Sequence, residues 1–308
     1  MKKLYNIFFL AIGVLSCSVL SAQQDPMFSQ YMFNTLAINP AYAGSADLLN
    51  VTALYRHQWT QFDGAPVTQT LTAHSPLGRE SIGLGGTVIN DSYGPVQQTA
   101  FYADFSYRII FDRTKLAFGL KAGASLFQAD LLSLNPLDQD DPAFAGNIES
   151  KLLPNLGAGA MYYSDRFYVG LSVPRLFQNK LWDSTLPDFQ ENTERVHGFF
   201  IAGIVFDINS YVKFKPSMLV RAVNGAPLSA DLTANFLFYD KLWIGAMYRY
   251  EDAVGLLAQY EINNKIKIGY AYDYTVSDLG RYNNGTHEIM LGVDFGRKYG
   301  GDKSPRYF

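Results

Sequence analysis

The strongest constraint in this chain is a two-residue rhythm of apolar and polar side chains, repeated in segment after segment. Phe101, Ala103, Phe105, Tyr107 and Ile109 alternate with Tyr102, Asp104 and Ser106. Leu116, Phe118, Leu120, Ala122, Ala124 and Leu126 alternate in the same way with Lys121 and Ser125. Successive side chains of a strand point to opposite faces, so each segment carries one greasy face and one wet face. In lipid every backbone polar group must be satisfied internally, and a spanning set of strands meets that demand by closing on itself. The rhythm therefore predicts an all-β fold, an antiparallel outer-membrane β-barrel. A soluble β-sandwich or propeller is the competing architecture.

Fourteen strands are expected, near 50–60, 66–75, 81–90, 96–111, 114–127, 155–164, 166–174, 196–207, 211–222, 228–239, 241–251, 253–262, 265–274 and 285–296. Most have the roughly ten residues a tilted spanning strand needs. Connections after even-numbered strands are tight: Asp112-Arg113-Thr114, Ser164-Asp165-Arg166, Asn209-Ser210, Asp240-Lys241 and Asn263-Asn264-Lys265. Several after odd-numbered strands are long, at 128–154, 175–195 and 275–284. Outer-membrane barrels put short turns in the periplasm and long loops outside, which predicts periplasmic N and C termini. A sandwich would not follow this pattern.

The remaining segments complete the expected layout. Residues 1–22 read as a signal peptide: Lys2 and Lys3, then an apolar Ile7–Leu15 too short to span a membrane, then cleavage after Ala22. A lipoprotein cut before Cys17 is the alternative. Residues 23–49 form a periplasmic, plug-like segment with a short helix or turn near Phe28–Asn34, residues 50–296 the barrel, and 297–308 a periplasmic tail. Loss of the signal removes the only cysteine, and with it any disulfide or thiolate metal site. The net charge of −3 becomes −5 without Lys2 and Lys3, which is no footprint for nucleic acid.

Little in the chain points to chemistry. His57, His74, His197 and His287 are scattered without ligand spacing. Asp138-Gln139-Asp140-Asp141 lacks the spacing and glycine of a calcium loop and reads as a solvated acidic loop. Gly83-Leu84-Gly85-Gly86 and Gly157-Ala158-Gly159 lie inside strands rather than between strand and helix. They are expected to permit curvature or close approach of a lumenal element. No cofactor, metal or catalytic residue is expected, and an enzyme is the distant alternative. The wet faces predict lumenal Gln98, Tyr102, Asp104, Lys121, Asp231, Asn235, Arg249, Lys267 and Asp273, of mixed charge and without a selective ring. Phe28, Tyr31, Met32 and Phe33 are too apolar to hang in water, and Phe144, Phe177 and Trp182 are aromatic for loop residues. These seven are the candidate partner-binding residues.

Several stretches resemble the PorP/SprF family: Gln24-Asp25-Pro26-Met27-Phe28-Ser29-Gln30-Tyr31-Met32-Phe33-Asn34, Asn39-Pro40-Ala41-Tyr42-Ala43-Gly44, Tyr55-Arg56-His57-Gln58-Trp59, Gly170-Leu171-Ser172-Val173-Pro174 and Ser304-Pro305-Arg306-Tyr307-Phe308. The resemblance implies an outer-membrane barrel of type IX secretion, in some members tied to gliding motility. It implies assistance in export or surface anchoring of cell-surface proteins, by binding their C-terminal domains. Implied partners are such a secreted protein, periplasmic or peptidoglycan-linked secretion components, and outer-membrane lipid. The alternative is a stand-alone transport channel for hydrophobic or small polar solutes, similar to outer-membrane fatty-acid transporters.

Overall fold

The computed structural model describes residues 26–46, 48–134, 146–181, 193–263 and 265–296. Alternating side chains organise them into β1 (Leu49–His57), β2 (Val67–Leu77), β3 (Arg79–Tyr93), β4 (Val96–Ile110), β5 (Lys115–Ala129), β6 (Ile148–Tyr163), β7 (Phe167–Val173), β8 (His197–Ile204), β9 (Phe206–Asp207), β10 (Val212–Val223), β11 (Ser229–Phe238), β12 (Leu242–Arg249), β13 (Ala253–Asn263), β14 (Ile266–Thr275) and β15 (Thr286–Phe295). β8 and β9 are one stave. Gly203 faces Ser217 and Phe206 faces Phe214 of β10 in unbroken register, so fifteen segments make fourteen staves. Each stave pairs antiparallel with its sequence neighbour, and β15 returns to β1 from Leu49↔Phe295 to His57↔His287. The sheet is closed and has no free side along its ring, as a membrane barrel requires.

The two faces separate by polarity as the alternation demands. Phe105, Leu120 and Ile268 point outward, 43%, 63% and 46% exposed, while Asp104, Lys121 and Asp273 on the opposite faces are buried. Polar side chains mark where the outer face leaves lipid: Gln97 and Thr99 of β4 both donate to Asn90 of β3, just beyond outward-facing Val88 and Phe101. β4 and β5 have 15 residues and β6 has 16, more than a bilayer crossing takes, so this wall rises past the lipid at that end.

The tight connections singled out in the sequence share one end, while Gly94-Pro95 between β3 and β4 and Tyr250–Asp252 between β12 and β13 are as short at the other. Ser164 Oγ accepts from the backbone amides of Arg166 and Phe167, and Asn209 and Asn263 do the same for the amides that follow them. Tyr239 and Asp240 both adopt positive φ, the turn geometry that matches strand twist in a two-residue hairpin. The long connections lie at the other, loop end, together with the start of β11 and the end of β12. Phe144, Trp182 and the acidic run Asp138–Asp141 fall outside the described residues, as do 1–25 and 297–308.

Candidate functional site

Residues 26–46 fill the barrel. Expected as a plug-like segment on the periplasmic side, they lie inside the lumen, and the first described residue, Pro26, lines a cavity at the loop end with Tyr93, Gln98 and Arg175. The chain then descends to the turn end, where Ala43 O accepts from Ser106 Oγ at 2.6 Å and from Arg108 Nη1 at 3.1 Å. Pro40 and the small residues around it allow only short structure, a 3-10 turn at Thr35–Ala37 and another at Pro40–Tyr42. Residues 29–33 form turns rather than a helix.

Apolar packing and glycine cradles seat this segment. Phe28, Tyr31, Met32, Ile38 and Ala41 form one buried cluster with inward-facing Leu54, Ala117, Met161, Tyr168, Ile201, Leu219, Met247 and Leu257. The wall is cut back where the segment's backbone touches it. A Cβ on Gly119 would overlap the Ala41 amide, one on Gly83 the Ala43 carbonyl, and one on Gly159 the Asn39 side chain. Gly44 itself sits at φ 64°, pressed against Gly83, a conformation and a space that only glycine satisfies. Of the strand-interior glycines singled out in the sequence, Gly83 and Gly159 thus serve close approach of the segment.

Polar contacts fasten it on several sides. Asn39 caps the second 3-10 turn by accepting from Ala41 N at 3.0 Å, and its amide donates to the Ala160 carbonyl at 3.3 Å. Ser172 Oγ donates to Ile38 O at 2.7 Å, Thr72 Oγ1 to Asn34 Oδ1 at 2.8 Å, and Gly44 N to His74 Nδ1 at 3.1 Å. On the far wall, Glu288 accepts the Ser29 amide at 2.9 Å and the Gln30 amide at 2.8 Å, one on each carboxylate oxygen. Arg56 Nη1 reaches Glu288 at 3.0 Å, Asp273 at 3.2 Å and Ser29 Oγ at 2.9 Å. Arg249 forms a two-pronged pair with Asp231, both contacts 2.9 Å. All five charged groups are buried. Such charges are tolerated because each is paired and hydrogen-bonded, and removing one partner strands the others.

The predicted lumenal residues divide among three places. Asp231, Arg249 and Asp273 join the cluster just described. Asp104 and Lys121 pair at 2.8 Å, with Lys121 Nζ 5.2 Å from the Tyr102 ring centroid, and Gln98 donates to Ser125 Oγ and Glu194 Oε1. Asn235 is buried opposite Gly245, and half-buried Lys267 sits at the turn end with Asp294 at 3.1 Å. Of the proposed partner-binding residues, Phe28, Tyr31 and Met32 are buried in the lumen, and Phe33 packs on Trp243 with its ring 5.3 Å from Lys215 Nζ. A partner reaches these four only if the segment leaves the barrel. Phe177 is exposed at the loop end, its backbone tied to Asn155. Just beyond β7, Arg175 pairs with Glu194 at 3.1 Å; burial lowers its pKa and the carboxylate partly restores it. Sequence reasoning missed Arg56 and Glu288, although each occupies the inward phase of its strand beside outward Tyr55 and Ile289.

No group of three or more metal-ligating side chains occurs among the described residues. No helix among them is long and apolar enough to cross a membrane. Comparison with solved structures shows the fold alone. The CymD monoaromatic hydrocarbon channel superposes with a TM-score of 0.51 at 11% identity, covering 91% of this chain and 96% of that one. The Ralstonia pickettii toluene transporter TbuX gives 0.50 at 8% identity, covering 85% and 93%. The Acinetobacter baumannii outer membrane protein Omp33 gives 0.49 at 9% identity, covering 80% and 98%. No curated protein matches the chain significantly. A sequence model described as type IX secretion system membrane protein PorP/SprF matches residues 20–293. Family and fold together make this an integral outer-membrane protein, of a secretion-system barrel class rather than an enzyme class. The chain belongs to the PorP/SprF family of type IX secretion membrane proteins.

Proposed function

We propose that this barrel is a non-catalytic docking station, which assists export or surface anchoring of a secreted protein by binding its C-terminal domain. The observation that carries the reading is the filled lumen. Apolar packing, glycine cradles and buried ion pairs hold residues 26–46 inside, so the molecule offers surfaces rather than a passage. With these tight turns periplasmic, the loop end faces outward and presents Phe177. The turn end is then left to address periplasmic secretion components.

Deleting the gene tests this. Surface display of the partner, read by protease accessibility on intact cells, falls, and the partner is trapped or released. The competing reading is a solute channel, favoured by the shared fold of a hydrocarbon channel and a toluene transporter. Unchanged display with loss of uptake of one compound would establish it instead.

A further inference from the structure

The loop-end mouth of the lumen holds a cavity of about 80 Å³ between the inserted segment and the raised wall. Phe28 and Ile38 of the segment form one side; Ile89, Ala100 and Phe199 of the wall face them. The lining also carries Asp91, Lys121 and Arg175, and these are not equivalent. Lys121 is neutralised by Asp104 at 2.8 Å and Arg175 by Glu194 at 3.1 Å. Asp91 accepts one hydrogen bond, from Thr68 Oγ1 at 2.6 Å, and no cation among the described residues pairs with it. Among the described residues, two paired cations and three carboxylates leave the cavity one negative charge, located at Asp91. Tyr93, two residues along the same inward face, adds an aromatic ring, which favours a cation over an anion.

The geometry points to a binding site for an alkyl chain ending in a guanidinium or ammonium group, presented as the arginine or lysine side chain of a polypeptide. The stem lies against Phe28, Ile38 and Ile89, and the head takes the open Asp91 oxygen beside Tyr93. That the polypeptide is a secreted partner rests on the docking reading; the cavity's preference for a cation does not.

The test uses the full chain in lipid nanodiscs, titrated calorimetrically with n-butylguanidinium, n-butyrate, n-butyramide and capped Gly-Arg-Gly. Butylguanidinium and the peptide are expected to bind saturably, each at least tenfold more tightly than the anionic and neutral probes. Asp91→Asn removes that discrimination, and Ala100→Trp, which fills the cavity, removes binding. Both variants must keep the heat-modifiable gel mobility of a folded barrel. Equal binding of all probes, no saturable binding of butylguanidinium, or full discrimination in Asp91→Asn would overturn the site. Binding of the free guanidinium but not the peptide would overturn its assignment to a side chain. Partner display in the deletion strain is read separately, so the docking reading and this site fail independently.

Discussion

Glu288→Ala tests what holds the N-terminal segment in the lumen. In the native protein both carboxylate oxygens are taken by segment amides, Ser29 N at 2.9 Å and Gln30 N at 2.8 Å, and Arg56 lies 3.0 Å away. Truncation strands two buried N–H donors, each costing about 1–3 kcal/mol, and leaves Arg56 with Asp273 as its remaining carboxylate. Taking about 3 kcal/mol as the loss, the fraction of molecules with the segment unseated rises by about a hundredfold, at about 1.4 kcal/mol per factor of ten. A cysteine at Thr35, buried on the segment and outside the Glu288 cluster, reports the opening. Its labelling rate by a charged thiol reagent in outer-membrane vesicles should rise in proportion when closure is fast. Glu288→Gln keeps an acceptor and should give a smaller rise. A labelling rate within threefold of the parent in Glu288→Ala would refute the assignment of Glu288 as the fastener.

Gly119→Val drives a branched side chain into the Ala41 amide and should likewise expose Thr35→Cys to labelling, while heat-modifiable mobility persists because the wall itself is intact. Arg249→Met removes the partner of Asp231 and should cost about 3–5 kcal/mol, read as a lower urea midpoint of the folded barrel. Leu120→Arg places a charge on the lipid face and should cost about 2–4 kcal/mol if the position is near the midplane, measured by equilibrium folding into liposomes.

The staves were legible because a strand in a barrel wall writes its environment into every second residue. Phe105 and Asp104 sit one position apart and meet lipid and lumen respectively, so the alternation located all fourteen staves and put Asp231, Arg249 and Asp273 on the inner face. The inserted segment was harder to read. Its contacts are long-range and made largely by backbone: Ser29 and Gln30 meet Glu288 across more than 250 positions, through amides that every residue possesses. Phe28, Tyr31 and Met32 announced that they must be covered, and nothing local stated by what. The strand-interior glycines carried half of the answer. Gly83 and Gly159 marked where something approaches the wall, and only the fold identifies Ala43 and Asn39 as what approaches. Arg56 and Glu288 lay in the inward phase all along, and extending the alternation to β1 and β15 would have found them.

A lumen closed by residues 26–46 is the central claim, and conductance across a planar bilayer tests it most directly. The intact protein is predicted to insert without opening a steady ion-conducting pore, and deletion of residues 26–44 is predicted to produce one. A steady open channel from the intact protein, unaltered by that deletion, would contradict the account.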